Sequence, residues 1–257
     1  MSDSSKIFSL VNRTTLINEV DGRFLVEAMN VALTLFCRDW KISPRYVCKY
    51  VAVGERTRET LQCLLFDDEE SMQRFGYSFE DDMDVIHIKF FVKGFLDAGV
   101  HLAMAGQGQE TITSLLSHQI IETVSDSNAV KWVIGMDRYT LFAKEVVDPV
   151  VGENRLVRVG KVRQAMICNW VLPGWFDRFS EGPYDSIGII NAPFGVAPNG
   201  YCLILARLND QTTNMNILIG PQVSEENPVS ECARTAFRRR TYAAAIPPPL
   251  PPPTPSS

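Results

Sequence analysis

Apolar positions recur at two different spacings along the first half of this chain. In FLVEAMNVALTLFCRDW, the residues Phe24, Leu25, Ala28, Val31, Ala32, Leu35 and Phe36 fall on one side of a 3.6-residue repeat. That spacing predicts an amphipathic helix following Asp21. RYVCKYVAV (45–53), TLQCLLF (60–66) and VIHIKFFV (85–92) are short and rich in β-branched and aromatic residues. Each predicts a strand, with Gly54 and charged residues between the first two. One further strand is expected within residues 1–20, and the acidic stretch 67–84 predicts a loop or a short helix. Residues 106–125 predict a second long helix.

Past that helix the pattern breaks into short runs separated by Pro and Gly: LVRVG, AMICNWVL, SIGIIN, YCLILARL and MNILIG. Each predicts a strand in an irregular, β-rich half. The expected class is therefore α+β. A small mixed sheet with two main helices occupies residues 1–128, and a β-rich half follows over 129–242. From residue 243 the chain reads AAAIPPPLPPPTPSS, with seven prolines and no charge. Such a segment cannot build a core, so a disordered or polyproline II tail is expected over 243–257.

Composition narrows the function classes. The chain has 257 residues, 46% hydrophobic and 21% charged, enough to bury a sizeable core. A formal net charge of −5 gives no global attraction to nucleic acid or an anionic membrane. Cys37, Cys48, Cys63, Cys168, Cys202 and Cys232 form no CxxC pair, so reduced, buried thiols are expected rather than a zinc ribbon or disulfide framework. The opening MSDSSKIFSLVN lacks the pattern of a secretory signal, and no apolar run is long enough to span a bilayer. A soluble protein with a cytoplasmic location is the expectation.

The candidate chemistry lies in SHQIIETVSD, residues 117–126. On a helix, His118 and Glu122 sit one turn apart on one face, with Asp126 a further turn along. An imidazole and a carboxylate so placed can share a small dication. A third ligand must come from elsewhere, and Glu145 or Asp148 in KEVVDP is the expected source. By itself the HxxxE spacing is weak, because such pairs are usually surface contacts.

Three segments together strengthen it. They are SHQIIETVSDS, EVVDP (145–149) and NWVLPGWFDRFSEGPYDSIGIINAPFGVAPNGY (169–201). The chain resembles a family of bacterial zincin-like proteins whose signature runs SHExxExxxDP, then ExxDP, then a block like NfvLPxWFDxxxxGxyDxxGxxxxPFxxAPxGY. His118, Glu122 and Asp126 fall in register with the first element. In the third, Asn169, Leu172, Pro173, Trp175, Phe176, Asp177, Gly182, Asp185, Gly188, Pro193, Phe194, Pro198, Gly200 and Tyr201 do. The helix ending in Asp39-Trp40 also looks like the family, and the resemblance spans roughly residues 8–206. It implies a zincin-like fold and a Zn2+ site formed by His118, Glu122 and one of Glu145 or Asp148.

Two positions depart from that pattern. Ser127 replaces a proline, which bears on how the helix ends. Gln119 replaces the glutamate that acts as general base in a zincin. An amide can hold a water by hydrogen bonds but cannot take its proton, and loss of a general base costs about 10²–10⁴ in rate. One histidine and two carboxylates also neutralise a dication more fully than neutral histidines would, so bound water is acidified less. The resemblance thus implies a catalytically impaired metallopeptidase-like protein with a binding or assembly role. The rivals are a metal-free interaction scaffold and an active hydrolase using Asp126 or Asp148 as base.

The remaining features predict less. His87 and His101 read as structural, and the acidic runs 66–71 and 79–84 lack the alternation of a calcium loop. Arg234, Arg238, Arg239 and Arg240 read as a solvated patch. PPPLPPP could engage an aromatic groove on a peptide- or protein-binding partner. Nucleophile-elbow, P-loop and dinucleotide fingerprints are absent.

Overall fold

The structure is a computed structural model. It describes residues 5–43, 45–67, 76–80, 85–106, 109–126, 131–137, 139–207 and 213–219. The expected tail, the arginine cluster, Cys232 and Ser127 lie outside these residues.

The first helix, α1 (Glu19–Asp39), begins five residues before the apolar repeat. Asn18 accounts for the difference: its side chain accepts the Asp21 amide, and Glu19 and Asp21 place negative charge in the first turn. Leu25, Ala28, Met29, Ala32, Leu33 and Phe36 are buried along one face, as the spacing requires.

That face lies on a five-stranded sheet of β1 (Lys6–Arg13), β2 (Tyr46–Val51), β3 (Leu61–Phe66), β4 (Gly76–Glu80) and β5 (Ile86–Phe91). The order is β2-β1-β3-β5-β4, and only β4 runs antiparallel to its neighbour. The sheet is mixed, as expected. β4 lies inside the acidic stretch read as loop or short helix, because its register against β5 supplies a partner strand that local composition does not reveal.

Strand β1 is buried continuously from Phe8 to Asn12, the mark of a central parallel strand covered on both sides. Gly22 of α1 packs where an added Cβ would stand 2.4 Å from the Tyr50 ring of β2. About two turns further on, Asn30 donates to the Cys48 carbonyl at 3.0 Å and accepts the Cys48 amide at 2.7 Å. β5 runs directly into a short helix, α2 (Val92–Asp97).

The second main helix, α3 (Ile112–Ser125), starts later than predicted. Thr111 caps it, exchanging hydrogen bonds with Ser114 in a capping box. α3 is buried almost all round. The hairpin β8 (Asn154–Val159) and β9 (Arg163–Cys168) covers it on one side, α1 on another. Thr113 Oγ1 donates to the Met166 carbonyl at 2.7 Å, and Ser117 Oγ accepts the Cys168 amide at 2.9 Å. Ile112, Leu116, Ile120 and Ile121 are at most 1% exposed. Each contributes roughly 1.5–3 kcal/mol by burial, which fixes the helix as a rigid platform.

The later half is β-rich, as read. An antiparallel sheet in the order β11-β10-β7-β6 comprises β6 (Trp132–Ile134), β7 (Thr140–Ala143), β10 (Tyr201–Arg207) and β11 (Thr213–Ile219). The run SIGIIN is not a strand. The Asp185 carboxylate accepts the amides of Ile187, Gly188 and Ile190, and Gly188 sits at φ +79°, curling the run into a turn. A single apolar cluster extends from Phe8 to Cys202, so the two halves share one core. Mixed α/β architecture with few helices is the result. Among the described residues, no helix is long and apolar enough to cross a membrane.

Cys37, Cys48, Cys63, Cys168 and Cys202 are free and buried. Burial pushes the Cys48 thiol up to about 12 and moves Cys63, Cys168 and Cys202 in the same direction. These four should resist iodoacetamide in the native protein at pH 8 and react fully in denaturant, as read by peptide mass spectrometry.

Candidate metal centre

His118 and Glu122 lie one turn apart on α3, 5% and 6% exposed. The segment that meets them leads from β7 into a single 3-10 turn, Asp148–Val150. Pro149 occupies its first turn, where a missing amide hydrogen costs nothing. Asp148 is fully buried, and its Oδ1 lies 3.1 Å from His118 Nε2.

Glu122 fixes this meeting. Its Oε1 accepts the Val147 amide at 2.5 Å and the Asp148 amide at 3.4 Å, and its Oε2 accepts the Val146 amide at 3.1 Å. Three consecutive backbone amides thus converge on one helical carboxylate, an arrangement suited to holding negative charge.

Segment 169–201 holds the same turn from outside. The Val171 amide donates to the Val146 carbonyl at 2.7 Å, and the Ala197 amide to the Pro149 carbonyl at 2.8 Å. Asn169 Nδ2 donates to Asp185 at 2.9 Å, tying the two ends of the Trp170–Asp185 loop together. Helix α1 is joined in as well. Trp40 Nε1 donates to the Val171 carbonyl at 3.0 Å, and Trp170 Nε1 to Asp39 at 3.3 Å. The separate sequence elements therefore form one connected structure.

His118, Glu122 and Asp148 each offer a ligand atom, and these atoms lie within 4.8 Å of one another. Of the two acids expected as third ligand, Asp148 joins this group and Glu145 does not. Glu145 is buried at 4% exposure and close enough to act electrostatically on Glu122. Asp126, read as a continuation of the stripe, instead ends α3. Its Oδ2 accepts the Lys131 amide at 2.9 Å, and it is not in the group. Gln119 is half-buried between the turns that carry His118 and Glu122. His87 and His101 are not in the group.

Tyr201 went unremarked as a site residue. Its side chain is buried, close enough to Asp148, Glu145 and Glu122 for these acids to act on it electrostatically. Burial and the neighbouring acids push this phenol well above its ordinary value, so it remains a donor. The only sequence signal was its place at the end of the third block.

The donor set suits a dication. One imidazole nitrogen and carboxylate oxygens are ordinary zinc ligands. Glu122 Oε2 accepts a single backbone amide and so keeps lone-pair capacity for a cation. Three buried carboxylates close to one imidazole also make full ionisation costly, and a cation between them would remove that cost. No family model, curated protein or solved structure matches the chain.

Burial first, then the Glu145 charge, push the Glu122 carboxyl up to about 7, against the opposing pull of His118 and the backbone amides. In the unfolded chain it ionises near 4.5. Between these values the unfolded state has lost the proton that the folded state keeps, so rising pH favours unfolding. In EDTA, stability should fall as pH rises from about 4.5 to about 7. Glu122→Gln should flatten that segment, as read by urea midpoints at several pH values.

Proposed function

We propose that this chain is a catalytically impaired, zincin-like metallopeptidase relative that holds Zn2+ through His118, Glu122 and Asp148 and serves a binding or assembly role. The observation that carries the reading is the convergence of those three buried side chains within 4.8 Å. The architecture supports it too: a mixed sheet with one antiparallel edge strand, and a buried helix bearing the HxxxE pair.

When bound, such an ion supplies Lewis-acid polarisation of a water or a carbonyl. The chain's own residues do the rest. Gln119 can orient a water but cannot accept its proton. Asp126 accepts the Lys131 amide and Asp148 lies beside His118, which favours a capping role and a ligand role over that of a base. The arrangement can hold an ion better than it can turn over a peptide.

The Glu122 cradle favours a second reading. Because the carboxylate is already bonded to three amides, the turn can stand without metal as part of an interaction scaffold. Metal analysis separates the two. Purified protein should carry about one Zn2+ per chain, and His118→Ala should lose it. Wild-type protein free of metal after zinc loading would favour the scaffold. Full peptidase activity abolished by chelation would refute the impaired-enzyme reading.

Gln119→Glu restores the missing carboxylate without altering the ligands. Zinc-dependent cleavage of an unstructured peptide should then rise by about 10²–10⁴ over wild type. An unchanged baseline would mean that the site lacks more than its base.

A further inference from the structure

The β8–β9 hairpin has two edges that are treated differently. In an antiparallel pair, residues that bond across the ladder alternate with residues whose amides and carbonyls point outward. The Asn169 amide donates to the Glu153 carbonyl at 3.0 Å, which sets the phase. Arg155, Val157 and Val159 therefore bond toward β9, and the backbones of Asn154, Leu156 and Arg158 point outward. On the β9 side, the outward amides of Met166 and Cys168 are both bonded. Met166 donates to the Ala103 carbonyl at 2.8 Å, and Cys168 to Ser117 Oγ at 2.9 Å. On the β8 side, no hydrogen bond among the described residues reaches the outward amides or carbonyls of Asn154, Leu156 and Arg158.

Bare edges are commonly guarded by a charge, a proline or a bulge. The middle of this one carries Leu156, 52% exposed, on the same face as Arg158. The Arg158 guanidinium is turned back to the hairpin tip, where its Nε donates to the Lys161 carbonyl at 3.0 Å. Charge is divided along the strand. Arg158 and Lys161 lie at the tip, where Arg163 is already paired with Glu27 at 2.7 Å. The other end follows Glu153, and there Asn154 Nδ2 donates to Glu110 Oε2 at 3.1 Å.

Such an edge is complementary to itself. We propose that the outer edge of β8 is a dimer interface, on which a second copy of this chain pairs antiparallel about a two-fold axis at Leu156. The two hairpins then form one four-stranded sheet. In that register Leu156 pairs with Leu156 of the other copy, and Asn154 with Arg158, so the outward groups of all three residues are bonded. Each leucine covers the other. The Arg158 of each copy comes beside the Asn154–Glu110 pair of the other, basic end against acidic end. A foreign strand would have to supply the apolar centre and the opposed charges separately, whereas symmetry supplies both at once. The interface is independent of the metal reading.

Full-length protein sedimented over a range of concentrations should show a monomer–dimer equilibrium of micromolar order, as suits a small interface. Leu156→Asp sets two carboxylates face to face, and its dimer dissociation constant should rise at least about tenfold. The side chain is exposed, so the melting temperature of the dilute variant should stay within about 2 °C of wild type. Leu156→Cys and Val162→Cys, treated with a short bifunctional maleimide, read the register. The two copies of residue 156 lie about 5.5 Å apart at Cα in a bonded pair. Val159 and its copy stand six strand residues apart, about 20 Å, with Val162 farther out at the tip. Val162 is 91% exposed, so random collision would favour it. Leu156→Cys should instead cross-link into a dimer and Val162→Cys should not, each compared with wild type.

Wild-type protein that stays monomeric up to about 100 μM would overturn the interface. A dimer that forms as tightly in Leu156→Asp as in wild type uses another surface and overturns it equally. Val162→Cys cross-linking as readily as Leu156→Cys would refute the two-fold register. Should Leu156→Asp melt early, the cross-linking pair decides alone.

Discussion

The carboxylate of Glu122 is the junction on which the site depends. It belongs to a helix locked in place by apolar packing, yet its three amide hydrogen bonds reach into a segment with no regular structure of its own. Charge-assisted bonds to amides are about twice as strong as neutral ones, and three of them converge on this one group. They determine where the EVVDP turn lies and therefore where Asp148 meets His118. Burial works against the same charge. Desolvation outweighs the amides and leaves the carboxyl near 7, poised between its two states.

Much of the sheet-and-helix frame was legible because its signal is local. The α1 stripe and the strands around Cys48, Cys63 and Ile88 follow from periodicity, and the structure places them within a few residues. What escaped was non-local. β4 depends on pairing with β5, and the 186–191 run curls because a single aspartate gathers three amides. The His118–Glu122 pair was readable from helical spacing alone. The choice of Asp148 over Glu145 was not, since both lie in one short segment and only the cradle decides which of them faces the histidine. Tyr201 lies 53 residues beyond Asp148 in the chain, and no local pattern connects them.

The segments around Trp40, Val171 and Gly200 gain a physical meaning from this arrangement. Trp40, Val171, Ala197 and Gly200 contact no member of the ligand group through their side chains in any described hydrogen bond, yet each fixes a piece of backbone that leads to it. Such residues support geometry rather than chemistry. A change at position 119 can therefore leave the surrounding frame intact, because Gln119 makes none of these backbone contacts.

The Asn30–Cys48 contact has a consequence for assembly. β2 is an outer strand, and outer strands offer bare amides and carbonyls to any passing chain. Asn30 occupies both polar groups of Cys48 with its own amide, plugging that margin midway along its length. A foreign strand docking there would first have to evict the plug. Lengthening of this sheet by recruitment of a second molecule is thus opposed on the β2 flank, by one side chain borrowed from the helix above.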